Sequence, residues 1–127
     1  MDLKHLCVLV VDDARVARQI IKNMLRELGI TRVLEAEDGL VALEVLGREK
    51  AGLILSDWNM PRMSGIELLK KVRATPSLRS LPFVMVTAER MDTNIIEAVQ
   101  SGVNGYITKP FGAKELEKKI RQALRLE

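Results

Sequence analysis

Short apolar runs alternate along the whole chain with longer stretches in which apolar residues recur every three or four positions. The short runs are Leu6–Val11, Arg32–Ala36, Leu53–Ser56, Phe83–Val86 and Gly105–Thr108. They are rich in Val, Ile and Leu, are bounded by Gly, Pro or Asp, and predict strands. The first, third and fourth are nearly continuous in apolar residues, as parallel strands covered on both faces are. Helical stripes fill the intervals: Ala17, Ile20, Ile21, Met24 and Leu28; then Ile66, Leu69 and Val72; then Ile95, Ile96 and Val99; and last Leu116, Ile120, Ala123 and Leu124. Gly29 is placed to stop the first helix and Asp38 to cap the second. Strand–helix units repeated in this way predict an α/β fold, a doubly wound parallel sheet with helices on both faces. No internal repeat, low-complexity tract or linker interrupts the pattern.

A chain of 127 residues has room for one domain with a real core. The longest unbroken apolar run, Leu6 to Val11, is followed at once by Asp12 and Asp13. It is too short for a membrane span or a leader core, so a cytoplasmic protein with no membrane contact is expected. The lone Cys7 lies inside that run and reads as a buried core thiol. His5 is the only histidine, which excludes histidine triads and multi-histidine metal sites. The formal charge of +3 raises the question of nucleic acid. Trp58, Phe83, Tyr106 and Phe111 are the only aromatics, too few for a stacking surface, so no nucleic-acid partner is expected.

In a sheet of this kind, ligands bind beyond the carboxyl ends of the strands, where the strand order switches direction. The first strand runs into Asp12-Asp13, the third into Asp57, the fourth into Thr87 and the fifth into Lys109-Pro110. With those strands as neighbours, the groups converge in one cleft. Two carboxylates about 5 Å apart repel by roughly 3 kcal/mol at an effective dielectric of about 20. A hard divalent cation relieves that repulsion, and an all-oxygen donor set suits Mg2+. Lys109 adds a fixed positive charge and Thr87 a hydroxyl. A nucleophilic carboxylate with a cation, a lysine and a hydroxyl suits phosphoryl transfer, with an aspartyl phosphate as product.

Val10 to Asp13, Ser56 to Pro61, Val86 to Glu89 and Gly105 to Phe111 resemble, in order and spacing, the motifs of bacterial response-regulator receivers. Asp57-Trp58-Asn59, Glu89 and Asn94-Ile95-Ile96 bring the likeness to single-domain, CheY-like receivers of the chemotaxis type. The likeness covers essentially the whole chain. It implies one receiver (response regulatory) domain over 1–127 and a flavodoxin-like sheet in the order 2-1-3-4-5. It also implies roles. Asp57 would accept the phosphoryl group. Asp13 and Asp57 would hold Mg2+ directly with the Asn59 backbone carbonyl, and Asp12 would help through water. Thr87, the Ala88 backbone amide and Lys109 would hold phosphoryl oxygens, with Thr87 and Lys109 assisting the transfer. A cis Lys109-Pro110 bond would aim the lysine inward, and Tyr106 would be a rotamer switch coupled to Thr87.

The implied protein is a phosphoacceptor signalling domain that assists its own phosphorylation and dephosphorylation, and not an enzyme with a separate substrate. Its phosphodonor would be a histidine kinase or a phosphotransfer domain. Its output would be phosphorylation-dependent binding of an effector, a flagellar switch or other protein, through the fourth helix, fifth strand and fifth helix. It would act as a monomer, with no attached DNA-binding domain. A phosphate sink or shuttle shares the chemistry without an effector, and an adaptor for anionic surfaces would use the basic faces. An aspartyl-phosphate hydrolase of the haloacid-dehalogenase type fits less well, because its nucleophile sits on the first strand and it needs a substrate-selecting cap.

Several positions depart from the family pattern. Ser64 stands where many receivers are acidic, Ala14 is small beside the pocket, and Arg90-Met91-Asp92 differs from flagellar relatives. Finally, Arg15, Arg18, Lys22 and Arg26 fall within about 80° on the first helix, and Lys114, Lys118, Arg121 and Arg125 within about 60° on the last. Side by side, these stripes are expected to form one basic surface that steers an acidic phosphodonor, or merely a solvated face.

Overall fold

The computed structural model describes residues 3–88 and 92–125, the side chains of residues 92–95 excepted. Strands and helices alternate: β1 (Cys7–Val11), α1 (Arg15–Glu27), β2 (Arg32–Ala36), α2 (Gly39–Arg48), β3 (Leu53–Asp57), α3 (Gly65–Ala74), β4 (Phe83–Thr87), α4 (Asp92–Gln100), β5 (Gly105–Thr108) and α5 (Ala113–Ala123). The five strands form one parallel sheet in the order β2-β1-β3-β4-β5. The chain therefore steps outward from β1 to β2, returns across β1 to β3, and continues to β4 and β5. That reversal between β1 and β3 opens a crevice at their carboxyl ends.

Alternation along each strand divides the core into two layers. Val8, Val10, Leu53, Leu55, Val84 and Val86 face one way and pack with Ile21 and Leu25 of α1 and Leu116 and Ile120 of α5. Leu9, Val11, Ile54, Phe83 and Met85 face the other way, against Ala42 and Val45 of α2 and Leu68, Leu69 and Val72 of α3. β1, β3 and β4 are buried on both faces, which is why their sequences are apolar without a break. Cys7 is a buried free thiol within β1.

Helix ends follow local chemistry. Gly29 takes φ +87°, a left-handed conformation open to glycine, and reverses the chain after α1. Asp38 caps α2 by accepting the Val41 N–H at 2.9 Å. Ser64 explains its departure from the acidic pattern: it caps α3, accepting the Glu67 N–H while the Glu67 carboxylate accepts the Ser64 N–H.

Two helical stripes differ from expectation. On α1 the buried pair is Ile21 and Leu25, while Ile20 is half exposed and Val16 exposed. The core face is thus centred on Ile21 and Leu25, and the apolar positions spill over the Ile20 edge. On α4, Ile96 and Val99 are exposed and Ala98 is buried, so this helix does not bury the expected stripe; the Ile95 side chain lies outside the described residues. Both helices carry more apolar surface than the sheet covers.

Candidate functional site

Strand register sets the site. Val11 pairs with Ser56 across β1 and β3, Asp57 with Val86 across β3 and β4, and Thr87 with Thr108 across β4 and β5. The residues just past β1 and β5, and the last residues of β3 and β4, therefore stand at one level along the crevice. Asp12, Asp13 and Asp57 each offer a carboxylate oxygen, and these oxygens lie within 4.8 Å of one another. Lys109 reaches across from the end of β5, its Nζ 3.2 Å from Asp12 Oδ2 and 3.6 Å from Asp57 Oδ1. Thr87 is buried at the end of β4, and the Lys109-Pro110 bond is cis.

The carboxylates are not equivalent. Asp12 is buried and its oxygens are engaged, one by the Ala14 N–H at 2.9 Å and the other by Lys109. Asp13 is exposed at the mouth. Asp57 lies between, with Oδ1 accepting the Trp58 N–H at 3.0 Å. Burial pushes the Asp57 carboxyl above the ordinary aspartate range, against the pull of Lys109 and the Trp58 N–H, and Asp12 and Asp13 add to the push. Such a carboxylate gains most from a cation beside it.

The donor set fits magnesium. It is all oxygen and anionic, with an exposed side open to water, and octahedral Mg2+ with ligands at about 2.1 Å needs its oxygens about 3 to 4 Å apart. Asp12, held by Ala14 and Lys109, is the least available of the three for direct contact. Asn59 is exposed, two residues beyond β3 on the loop to α3, and Ala88 is exposed one residue beyond β4. The expected Glu89 and the Arg90-Met91 departure lie outside the described residues, as does the Asp92 side chain.

Tyr106 is not at the end of β5 beside Thr87. It pairs with Met85, one sheet-face step behind the Thr87–Thr108 pair, on the same side of the sheet. Its ring is half buried against the layer of Met85, with the Lys119 ammonium 5.5 Å from the ring centre.

A family model described as the response regulator receiver domain matches residues 8–121. The chain belongs to the response-regulator receiver family. It is 50% identical over 117 residues to the chemotaxis protein CheY-3 of Vibrio cholerae, covering 92% of this chain and 90% of that protein. Among solved structures it superposes on the chemotaxis response regulator CheY4 of Vibrio cholerae with a TM-score of 0.85 at 33% identity, covering 93% of this chain and 98% of that one. It also superposes, with a TM-score of 0.85 and 30% identity, on the receiver domain of a sensor histidine kinase from Pseudomonas aeruginosa, described with magnesium coordinated in its active-site cleft. That match covers 94% of this chain and 98% of the other. The fold is thus the flavodoxin-like, CheY-type receiver, a two-component signalling domain and not an enzyme of the usual kind.

Two charged residues, one beside the site and one remote from it, escape sequence reading. Arg62 takes φ +64° in the β3–α3 loop and pairs with the buried cap Asp38, Nε at 2.7 Å and Nη2 at 2.5 Å from Oδ2. Arg73 on α3 donates to the carbonyls of Gly102, Arg79 and Leu81 and to Asn104 Oδ1, gathering the α3–β4 and α4–β5 loops at the far end of the sheet. Neither stands in a motif; each is defined by partners distant in sequence. No helix among the described residues is long and apolar enough to cross a membrane.

Part of the α1 basic stripe is paired with β2. Arg18 and Lys22 both pair with Glu35 of β2, each at 3.0 Å, so these two cations of α1 are engaged on the β2 side. Between α1 and the start of α5 lies an apolar cavity of about 220 Å³, lined by Ala17, Ile20, Ile21, Met24 and the Lys109–Phe111 segment. An apolar seam therefore runs along the α1 side of the expected basic surface.

Proposed function

We propose that the protein accepts a phosphoryl group on Asp57 from the phosphohistidine of a histidine kinase or phosphotransfer domain, with Mg2+, in a chemotaxis or chemotaxis-like pathway. The observation that carries this reading is the convergence of Asp12, Asp13, Asp57 and Lys109 at one crevice. Asp13 and Asp57, with the Asn59 carbonyl, would hold the cation, Asp12 assisting through water. The cation's chemistry is to neutralise the oxygens of the incoming group. One Asp57 carboxylate oxygen attacks phosphorus, the bond to the donor nitrogen breaks, and the phosphoryl group ends on Asp57 as an acyl phosphate. Lys109 and Thr87, with the Ala88 N–H, take up the negative oxygens.

The single receiver domain, 1–127, would work in the cytoplasm as a monomer. Exposed Ile20, beside the Lys109–Phe111 segment, and exposed Val16 on the same helix supply the side on which a phosphodonor helix approaches. Output runs through α4, β5 and α5, where Ile96 and Val99 are exposed and Tyr106 is half buried, and this apolar surface favours an effector over a phosphate sink.

The test is incubation with acetyl phosphate and Mg2+. One base-labile phosphoryl group should be added, and Asp57→Asn or withholding Mg2+ should abolish it. Full labelling of Asp57→Asn places the acceptor elsewhere.

A further inference from the structure

The β3–α3 loop, which carries Asn59, is anchored at two points. On the strand side, the Trp58 N–H donates to the Val86 carbonyl at 3.1 Å and the Trp58 carbonyl accepts the Gly65 N–H at 2.8 Å. Gly65 is required there, since a Cβ would fall 2.2 Å from the Asp57 carbonyl oxygen. On the far side, Met63 N–H closes a tight turn on the Pro61 carbonyl at 2.6 Å, and the Met63 carbonyl accepts the Gly39 N–H at 3.3 Å. The Met63 side chain is buried against Gly39, where a Cβ would lie 2.6 Å from Met63 Cγ. Asn59 and Met60 form the arch between these anchors.

Arg62 adds a side-chain tie to the second anchor. Its left-handed backbone is uncommon for a bulky residue and persists only where its surroundings hold it. What holds it is Asp38, whose carboxylate is buried and divides its oxygens between two partners. Oδ1 accepts the Val41 N–H and Oδ2 meets the Arg62 guanidinium. Glu37 adds a longer contact at 3.9 Å. The first turn of α2 is in this way tied to the loop bearing Asn59, and Asp13, Glu37, Asp38, Pro61 and Arg62 line one groove at the edge of the site.

We infer that Arg62 is a positioning residue for the magnesium site, acting through Asp38 to fix the arch that presents Asn59. The inference rests on the phosphoacceptor reading, in which Asn59 contributes its carbonyl to the cation. An arch fixed at both ends loses little freedom on binding the cation, and one released at one end must be ordered by it.

Magnesium titration of the metal-free protein tests this, read by calorimetry and by the fluorescence of Trp58, the only tryptophan. Arg62→Gly keeps the backbone conformation and removes the guanidinium. It should raise the Mg2+ Kd about tenfold, the low end for residues that support metal ligands. Asp38→Asn, which keeps a capping oxygen, should do the same, and the double variant should bind no worse than either single one. Acetyl phosphate labelling of Arg62→Gly should recover fully at saturating Mg2+. Urea unfolding without metal separates this role from a plain structural one. Lower stability with unchanged Mg2+ affinity overturns the inference, as does additivity of the two substitutions. If the parent protein binds no Mg2+, the phosphoacceptor reading falls and the positioning role with it. If the parent binds Mg2+ and Arg62→Gly binds equally well, only the positioning role falls.

Discussion

The ammonium of Lys109 is held by Asp12, at 3.2 Å, more closely than by Asp57, at 3.6 Å. In the unphosphorylated protein the lysine thus rests mainly on a buried carboxylate that does not react. A phosphoryl group on Asp57 would bring several negative oxygens within its reach and give it a stronger partner. Replacing it by Lys109→Met should slow acetyl phosphate labelling about a hundredfold, the usual loss when one donor to a developing charge is removed. The measurement is the initial labelling rate at saturating Mg2+, and a rate within a factor of about two of the parent would remove Lys109 from the chemistry.

Asp57 gives a pH prediction whose sign follows from burial. Its carboxyl is pushed above the ordinary range, so between the unfolded and folded pKa values the native state holds the extra proton. Stability from this group is complete below the unfolded value and is lost as pH rises through the folded one. At neutral pH the ionised Asp57 is a net burden on the metal-free fold. Asp57→Asn should therefore unfold at higher urea than the parent in EDTA at pH 7. The advantage should shrink as pH falls through the carboxylate range, and shrink likewise when Mg2+ is added. A parent protein that is the more stable at pH 7 without metal would contradict the electrostatics.

Arg73 gives a stability prediction away from the site. Its guanidinium donates to three backbone carbonyls and to Asn104, whose side-chain oxygen also accepts the Phe83 N–H. Arg73→Ala should destabilise the protein by about 2 to 3 kcal/mol, as loss of hydrogen bonds to a charged donor does. Labelling of Asp57 at low temperature should be unchanged. Urea midpoints measure the first effect, and an unchanged midpoint would mean that these loops hold themselves.

Strand content and the converging ends were legible because both are local. Unbroken apolar runs mark strands buried on both faces, and each ends in the residue that reaches the crevice, as Asp57 does for β3 and Thr87 for β4. The Asp38 cap was equally legible, a short polar side chain placed just before a helix. The orientation of α1 was not, because periodicity gives an apolar arc without saying which part meets the sheet. Leu25 lies near the basic edge of that arc and is fully buried, while Ile20 at the other edge is half exposed. The Asp38–Arg62 pair, 24 residues apart, was invisible for a different reason: nothing local to Arg62 names its partner.

The proposed switch couples Thr87 and Tyr106 across the sheet face that they share. Met85 faces Tyr106 and Thr87 faces Thr108, so the ring sits one step back from the hydroxyl. Lys119, over the ring at 5.5 Å, favours the present ring position by cation–π attraction. Phosphorylation that draws Thr87 toward the site should shift the ring population inward. Lys119→Met should make that shift easier, and Thr87→Val should leave labelling in place while uncoupling it from effector binding. Solvent exposure of Tyr106, read by fluorine labelling of the ring, is the measurement. Equal exposure with and without a phosphate mimic would dispose of the coupling.

The seam between α1 and α5 recasts how a phosphodonor is recognised. Arg18 is not available as a steering charge, since it donates to the Asp12 carbonyl at 2.5 Å and pairs with Glu35. Lys22 shares Glu35, and Arg121 pairs with Glu117 at 3.1 Å. Paired surface charges steer weakly, and raising salt until the Debye length falls below about 10 Å should slow transfer only modestly. Reversing Arg18 would disturb the site itself, because its guanidinium fixes the chain at Asp12. Ile20 is the sharper probe. It is half exposed, lines the apolar cavity beside Pro110 and Phe111, and engages no charge. Burying it against a donor helix would exclude water beside Lys109 and Pro110, so Ile20→Ser should slow transfer from a phosphohistidine protein about tenfold, as loss of one apolar anchor does. Labelling by acetyl phosphate, which needs no docking surface, should not change. Equal loss with both donors would mean that the substitution reaches the site through Ile21 or Lys109. No loss with either would leave the seam as surface that a phosphodonor does not touch.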